Sequence, residues 1–132
     1  MLKKVAILLL SLNLISCVTL PEEEKSLEAQ IAAMNKKCPQ MLDSETRIDK
    51  VELKEPNTIV YKYTLVNLLA ENMDTLKFYN AMWPGLLSYI RVSDEMKSLR
   101  NSGGSIEYCY SDKKNKEVYR FKITPKDYNQ NK

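Results

Sequence analysis

The sequence predicts an α+β domain: an N-terminal helix and an antiparallel sheet of about four strands in two hairpins, in the order α-β-β-α-α-β-β. Three observations carry this. Leu27, Ile31, Met34 and Cys38 recur at intervals of three and four, the spacing of one helical stripe. Residues 58–67 and 106–123 alternate apolar and polar side chains with a period of two, as half-buried strands do. Between those stretches, Leu76, Tyr79, Trp83, Leu86, Leu87 and Ile90 return to helical spacing.

Each element has its own local signals. Thr19 and Glu22 stand three apart as a capping box, with Pro21 in the first turn. Glu22, Glu23 and Glu24 suit the positive end of a helix dipole, and Lys36 and Lys37 suit the other. Pro39 stops the helix. A first strand, 47–54, is rich in β-formers, but Ile48 falls out of phase with Val51 and Leu53, which a one-residue bulge reconciles. Glu55-Pro56-Asn57 turns the chain into the second strand, where Ile59, Tyr61, Tyr63 and Leu65 share one face. In the helical region, Pro84 removes a donor and crowds the preceding turn, predicting a kink or break near 80–83. Ser93 caps a further short helix that carries Met96 and Leu99 inward, and Gly103-Gly104 ends it. The last hairpin alternates Ile106, Tyr108 and Tyr110 against Tyr119, Phe121 and Ile123 across a turn at 112–116, and Pro125 closes it.

Ahead of this domain lies a different kind of segment. Two lysines, Lys3 and Lys4, precede an apolar run from Val5 to Ile15 that is interrupted only by Ser11 and Asn13. A run of this length falls short of the ~20 residues needed to cross a bilayer. Leu14-Ile15-Ser16-Cys17 then closes it, in a pattern that resembles the lipobox of bacterial lipoproteins. The resemblance implies that residues 1–16 are a signal peptide cut before Cys17, and that Cys17 carries the lipid. Residues 17–25 then form a lipidated cysteine and tether, 26–128 a single domain, and 129–132 a polar tail. Val18 after the cysteine, rather than an aspartate, points to the outer membrane, with the protein facing the periplasm.

Removing the signal changes the charge balance. The chain has 20 basic and 17 acidic residues; without Lys3 and Lys4 the balance is nearly neutral, which offers no electrostatic case for nucleic acid. Two cysteines remain, Cys38 and Cys109. In an oxidising exported compartment they read as one disulfide, and the alternative is two unpaired buried thiols.

Composition also limits the chemistry. There is no histidine, so the commonest general base and the commonest zinc ligand are missing. The three glycines form no phosphate-binding loop, and no calcium-loop pattern occurs. No cofactor is indicated. Asp43 with Glu45, and Asp94 with Glu95, are carboxylate pairs at turn or capping positions, where acids are expected without catalysis. The aromatics are the better binding candidates. Tyr61, Tyr63, Tyr108 and Tyr110 are candidate partner contacts on the strands, unless cross-strand pairing alone accounts for them. Trp83, beside the expected helix break, is a fifth, although its place on the apolar stripe also fits the core.

The segment Lys37-Cys38-Pro39, Asp43, Thr46 to Asp49, and Ile59 to Leu65 resembles small uncharacterised bacterial envelope proteins. That resemblance carries relatedness and no activity. The resulting expectation is a non-enzymatic, lipid-anchored cell-envelope accessory protein that binds another envelope protein, a description met by pilotin-like helpers and by immunity or inhibitor lipoproteins. The opposing class is a small hydrolase working through Asp or Glu without histidine.

Overall fold

Ser26 opens the first helix, α1 (Leu27–Asn35), where its hydroxyl accepts a hydrogen bond from the Ala29 N–H at 3.2 Å. This supplies a partner for one of the unsatisfied donors of the first turn. The computed structural model describes residues 26–130. The signal peptide, Cys17, the Thr19–Glu22 box and the glutamates after it lie outside the described residues, as do the last two residues of the polar tail. The expected stripe forms: Ile31 is buried, and Leu27, Met34 and Cys38 pack against the core.

Five strands follow: β1 (Gln40–Met41), β2 (Thr46–Lys54), β3 (Thr58–Leu65), β4 (Ser105–Ser111) and β5 (Glu117–Ile123), side by side in chain order. The expectation of a purely antiparallel four-stranded sheet is corrected in two respects. A two-residue edge strand precedes β2, and β3 pairs with β4 in parallel, Tyr61 opposite Tyr108 and Tyr63 opposite Tyr110. A parallel neighbour requires a crossover. The helices between β3 and β4 supply it, so the two hairpins join into one mixed sheet.

The bulge in β2 is present. Ile48 pairs with Tyr63 and Lys50 with Lys62, leaving Asp49 as the extra residue and turning both Ile48 and Val51 to the buried side. Beyond β1, the outer edge of β2 would be unpaired. Asn35 fills the gap: its amide nitrogen donates to the Val51 carbonyl at 2.7 Å, and its oxygen accepts from the Val51 N–H at 2.8 Å. One side chain thus does what a neighbouring strand would do.

The crossover is built from α2 (Thr75–Val92), a 3-10 turn (Asp94–Met96) and α3 (Lys97–Ser102). Asp74 caps α2 by accepting from the Lys77 N–H. Of the kink or break expected near Pro84, the break does not occur; α2 runs through it. Pro84 and Asn80 both lie on the exposed side of the helix, so the carbonyl that proline leaves without its donor faces solvent. Leu76, expected on the buried stripe, sits in the first turn and is 69% exposed. Phe78, outside that stripe, packs inward instead. Met96 and Leu99 are buried as expected, although Ser93 makes no side-chain cap.

Gly103 ends α3 at φ +67°, in the left-handed region that glycine enters without strain. Gly104 has a different role. A Cβ there would lie 2.6 Å from Leu99 Cδ1 and 3.1 Å from the Asn57 carbonyl, so only glycine lets the α3 end approach the β2–β3 turn. Pro125, expected simply to close the last strand, opens a short helix, α4 (Pro125–Tyr128). Asp127 accepts from both the N–H and the hydroxyl of Thr124, and the buried Tyr128 hydroxyl donates to the Gly104 carbonyl at 2.8 Å.

The core lies between the helices and one sheet face, with Ile59, Tyr61, Ile106, Tyr108, Phe121 and Ile123 beneath Ile31, Ile90, Leu99 and Tyr128. Asp112 fastens its far end. One carboxylate oxygen accepts from the N–H groups of Lys114 and Lys116, and the other from Ala70 in the β3–α2 connection. These backbone donors, Lys116 first and then Ala70, hold its carboxyl below the usual range. A depressed folded-state pKa adds stability above the ordinary carboxylate value of about 3.9, and that stability fades as pH falls through it toward the folded value. Asp112→Asn should therefore melt lower than the parent at neutral pH and lose less on acidification below about pH 5. Thermal melts across that range check both.

Candidate binding surface

The four strand tyrosines lie under α2, not on a free face. Tyr61, Tyr108 and Tyr110 are buried and Tyr63 partly so, with successive rings stacked at 5.0–5.2 Å and 6.2–6.4 Å. Phe78 meets Tyr110 edge-on at 5.1 Å. Burial raises all four phenol pKa values, Tyr110 to about 12. As placed, these side chains build the sheet through cross-strand pairing and offer a partner little surface.

Trp83 is half-buried and stacks on Tyr79 at 5.4 Å, joining the same core. The helix beside it is continuous, so it does not stand at a break. Trp83→Ala should cost about 2 kcal/mol, below the full cost for a buried aromatic because part of the ring already meets water. Urea titration followed by circular dichroism measures it. An unchanged midpoint would return Trp83 to the list of partner anchors.

The expected Cys38–Cys109 bridge is absent: both are free thiols. Cys38, after α1, packs against the helix-side core, and its thiol donates to the Met34 carbonyl at 3.4 Å. Cys109 points to the opposite face of the sheet, opposite Lys62 on one side and Arg120 on the other. Since α1 covers the other face, the sheet itself stands between the two sulfurs. Burial pushes both thiols up in pKa, which keeps them protonated and weakly nucleophilic.

That opposite face is the surface the sequence did not single out. No described helix is packed over its centre; long charged side chains cover a small buried floor of Val60, Thr64, Glu107 and Cys109. Glu107, with 8% of its side chain exposed, accepts from Arg120 at 2.7 Å and has Lys54 and Lys122 at 3.7 and 3.9 Å. Glu52 lies between Lys50 at 2.7 Å and Lys62 at 2.9 Å, and these hydrogen bonds lower its pKa, Lys50 first. Asp49, the bulge residue, accepts from Arg47 and from the Thr64 hydroxyl, each at 2.5 Å. Where this face meets α1, an open groove of about 650 Å³ runs between Ile31 and Asn35 on one side and Lys62 and Arg120 on the other. Its volume lies within the range of small-molecule sites.

Chemically, this face offers exposed cations beside an open groove. Its carboxylates are consumed in ion pairs, and its one thiol is buried and protonated. The carboxylate pairs considered above do not converge either. Asp43 accepts from the N–H groups of Glu45 and Thr46 in a turn, and Glu95 is bonded to the Tyr89 hydroxyl. Among the described residues no three His, Cys, Asp or Glu side chains gather as a metal site, and no helix is long and apolar enough to cross a membrane. The charged face follows from the off-phase positions of the strands (Glu52, Lys62, Glu107, Arg120), which are legible individually. Only the parallel β3–β4 join brings them onto one surface.

Three solved structures share this fold. A candidate secreted protein of Pseudomonas aeruginosa superposes with a TM-score of 0.65 at 13% identity, over 76% of this chain and 88% of its own. The pilotin of the Vibrio vulnificus type 2 secretion system, EpsS, gives 0.57 at 6% identity, over 75% and 84%. The Vibrio cholerae type II secretion pilotin AspS gives 0.54 at 10%, over 74% and 84%. At these identities the likeness is one of fold. No curated protein matches the chain by sequence. A family model described as a domain of unknown function (DUF8479) matches residues 22–120.

Proposed function

From a chain that belongs to the DUF8479 family, we propose a lipid-anchored, non-enzymatic accessory protein of the cell envelope that binds another envelope protein. The observation that carries this reading is the fold shared with two secretion-system pilotins over most of both chains. The sheet supports it: helices cover one face, and the other presents a groove and paired charges. The lipobox Leu14-Ile15-Ser16-Cys17 supplies the anchor, and Val18 the outer-membrane address. By analogy with the pilotins, the partner is a component of an envelope secretion apparatus. Nothing in the arrangement of Asp and Glu favours the hydrolase alternative.

Two acyl chains give stable membrane attachment where one is marginal. Cys17→Ser removes the only thiol at the lipobox and should abolish both incorporation of an alkyne palmitate analogue and recovery in the membrane fraction. Equal labelling of the variant refutes the anchor. Crosslinking in intact cells, followed by denaturing purification, should recover one envelope protein with the wild type; recovery of none refutes the partner.

A further inference from the structure

We infer that the groove between α1 and the outer sheet face binds an acidic, partly apolar peptide segment of the partner protein. This rests on the reading above that a protein partner exists, and adds where it docks and by what chemistry.

The charges are unevenly committed. Six cations on this face (Arg47, Lys50, Lys54, Lys62, Arg120 and Lys122) share four carboxylates, Asp49, Glu52, Glu107 and Glu117. Glu107 serves three of them and Glu52 two. Glu107 and Glu52 are therefore fully engaged, while the more distant cations are loosely held. Lys54 and Lys122, at 3.7 and 3.9 Å from Glu107, leave 62% and 66% of their side chains exposed. An incoming carboxylate gains these ammonium groups without breaking a close pair. Beside them, Ile31, Leu53 and Val60 line the same groove, giving an apolar side chain a place to lie.

Anionic lipid headgroups would offer the same cations a counter-charge, but the geometry disfavours a membrane surface. Asp49, Glu52 and Glu117 are interspersed with the lysines and would be pressed against the same negative plane. A peptide presents its carboxylates singly, at Lys54 and Lys122 beside Glu107, and does not press a negative plane onto Asp49 and Glu117.

The test uses the purified full chain in detergent and a short fluorescein-labelled peptide alternating leucine and glutamate. Fluorescence polarisation should show binding that weakens with added salt, as expected for exposed charges, and the lysine counterpart should not bind. Lys54→Glu with Lys122→Glu should weaken binding by roughly tenfold or more, and the milder Lys54→Gln with Lys122→Gln should weaken it less. Lys113→Glu with Lys114→Glu, at the hairpin turn, should leave it unchanged. Thermal melts confirm that each variant folds. Equal binding of the two peptides, no loss in the groove variants, or the same loss in the turn variants overturns the inference, as does binding only to phosphatidylglycerol vesicles. If the peptide fails while the cellular crosslink survives in the groove variants, the docking site falls and the accessory function stands. If the crosslink is absent from the wild type as well, the function itself falls.

Discussion

Phe121→Ala is expected to lower the unfolding free energy by about 3–5 kcal/mol, the range for truncating a fully buried aromatic. Phe121 is 1% exposed and centres the aromatic cluster, with Tyr119 at 4.6 Å, Phe78 at 5.7 Å, and Tyr79 and Tyr110 at 5.9 Å. Removing its ring leaves a cavity that these neighbours, fixed on two strands and a helix, cannot close without shifting backbone. For a domain of this size the loss lowers the melting temperature by on the order of 10–20 °C. Phe121→Leu keeps much of the apolar volume and should recover a large part of the loss. Denaturant midpoints at constant slope separate both from a change in the unfolded state.

Glu107→Lys is expected to cost about 3–5 kcal/mol, because it removes the one carboxylate that neutralises three cations and buries a fourth cation among them. The same position should tolerate other changes. Glu107→Gln keeps an acceptor for Arg120 and should cost about 1 kcal/mol. Glu107→Leu should be nearly neutral: Arg120, Lys54 and Lys122 are exposed enough to turn to water, and the desolvation cost of the carboxylate disappears with it. Guanidinium would screen the very interactions in question, so urea titrations with and without added salt are the measurement. The lysine variant should improve with salt. A glutamine variant as damaged as the lysine one would show that shape, not charge, sets the requirement at 107.

Most of the elements were legible because local chemistry and pattern agree. The stripe Leu27, Ile31, Met34, Cys38 and the alternations around Tyr61, Tyr108 and Phe121 needed no tertiary information, and the phase slip at Ile48 announced its own bulge. The parallel join was not legible. Strand alternation looks the same whichever direction a neighbour runs, and only the crossover through α2 and α3 decides it. That miss propagated to the site. With β3 and β4 in separate hairpins, Glu107 and Lys62 have no reason to share a surface, and the sequence leaves the tyrosines open between a partner face and cross-strand pairing, of which the fold selects the pairing. The expectation of a disulfide rests on compartment and on the parity of cysteines, while the alternation of Tyr108 and Tyr110 already puts Cys109 on the opposite face of the sheet. Helix α4 was hidden by brevity: Thr124-Pro125-Lys126-Asp127 is a start signal, but a single turn carries no periodicity to confirm it.

The parallel pairing has a consequence for how the chain reaches this state. Thr58 and Ser105, the first pair of β3 with β4, are 47 positions apart, whereas β2 and β3 meet across a three-residue turn. The first three strands can assemble from contacts close in sequence. The remaining two wait for the whole crossover to be laid down, and closing so long a loop slows the step that depends on it. Until β4 arrives, the inner edge of β3 stands open and Tyr61 and Tyr63 lie uncovered, the kind of surface that seeds association between incomplete chains. The rate-limiting and most aggregation-exposed interval therefore falls in the last third of the sequence. A chain interrupted before Ser105 keeps its sticky edge and lacks the strand that would hide it.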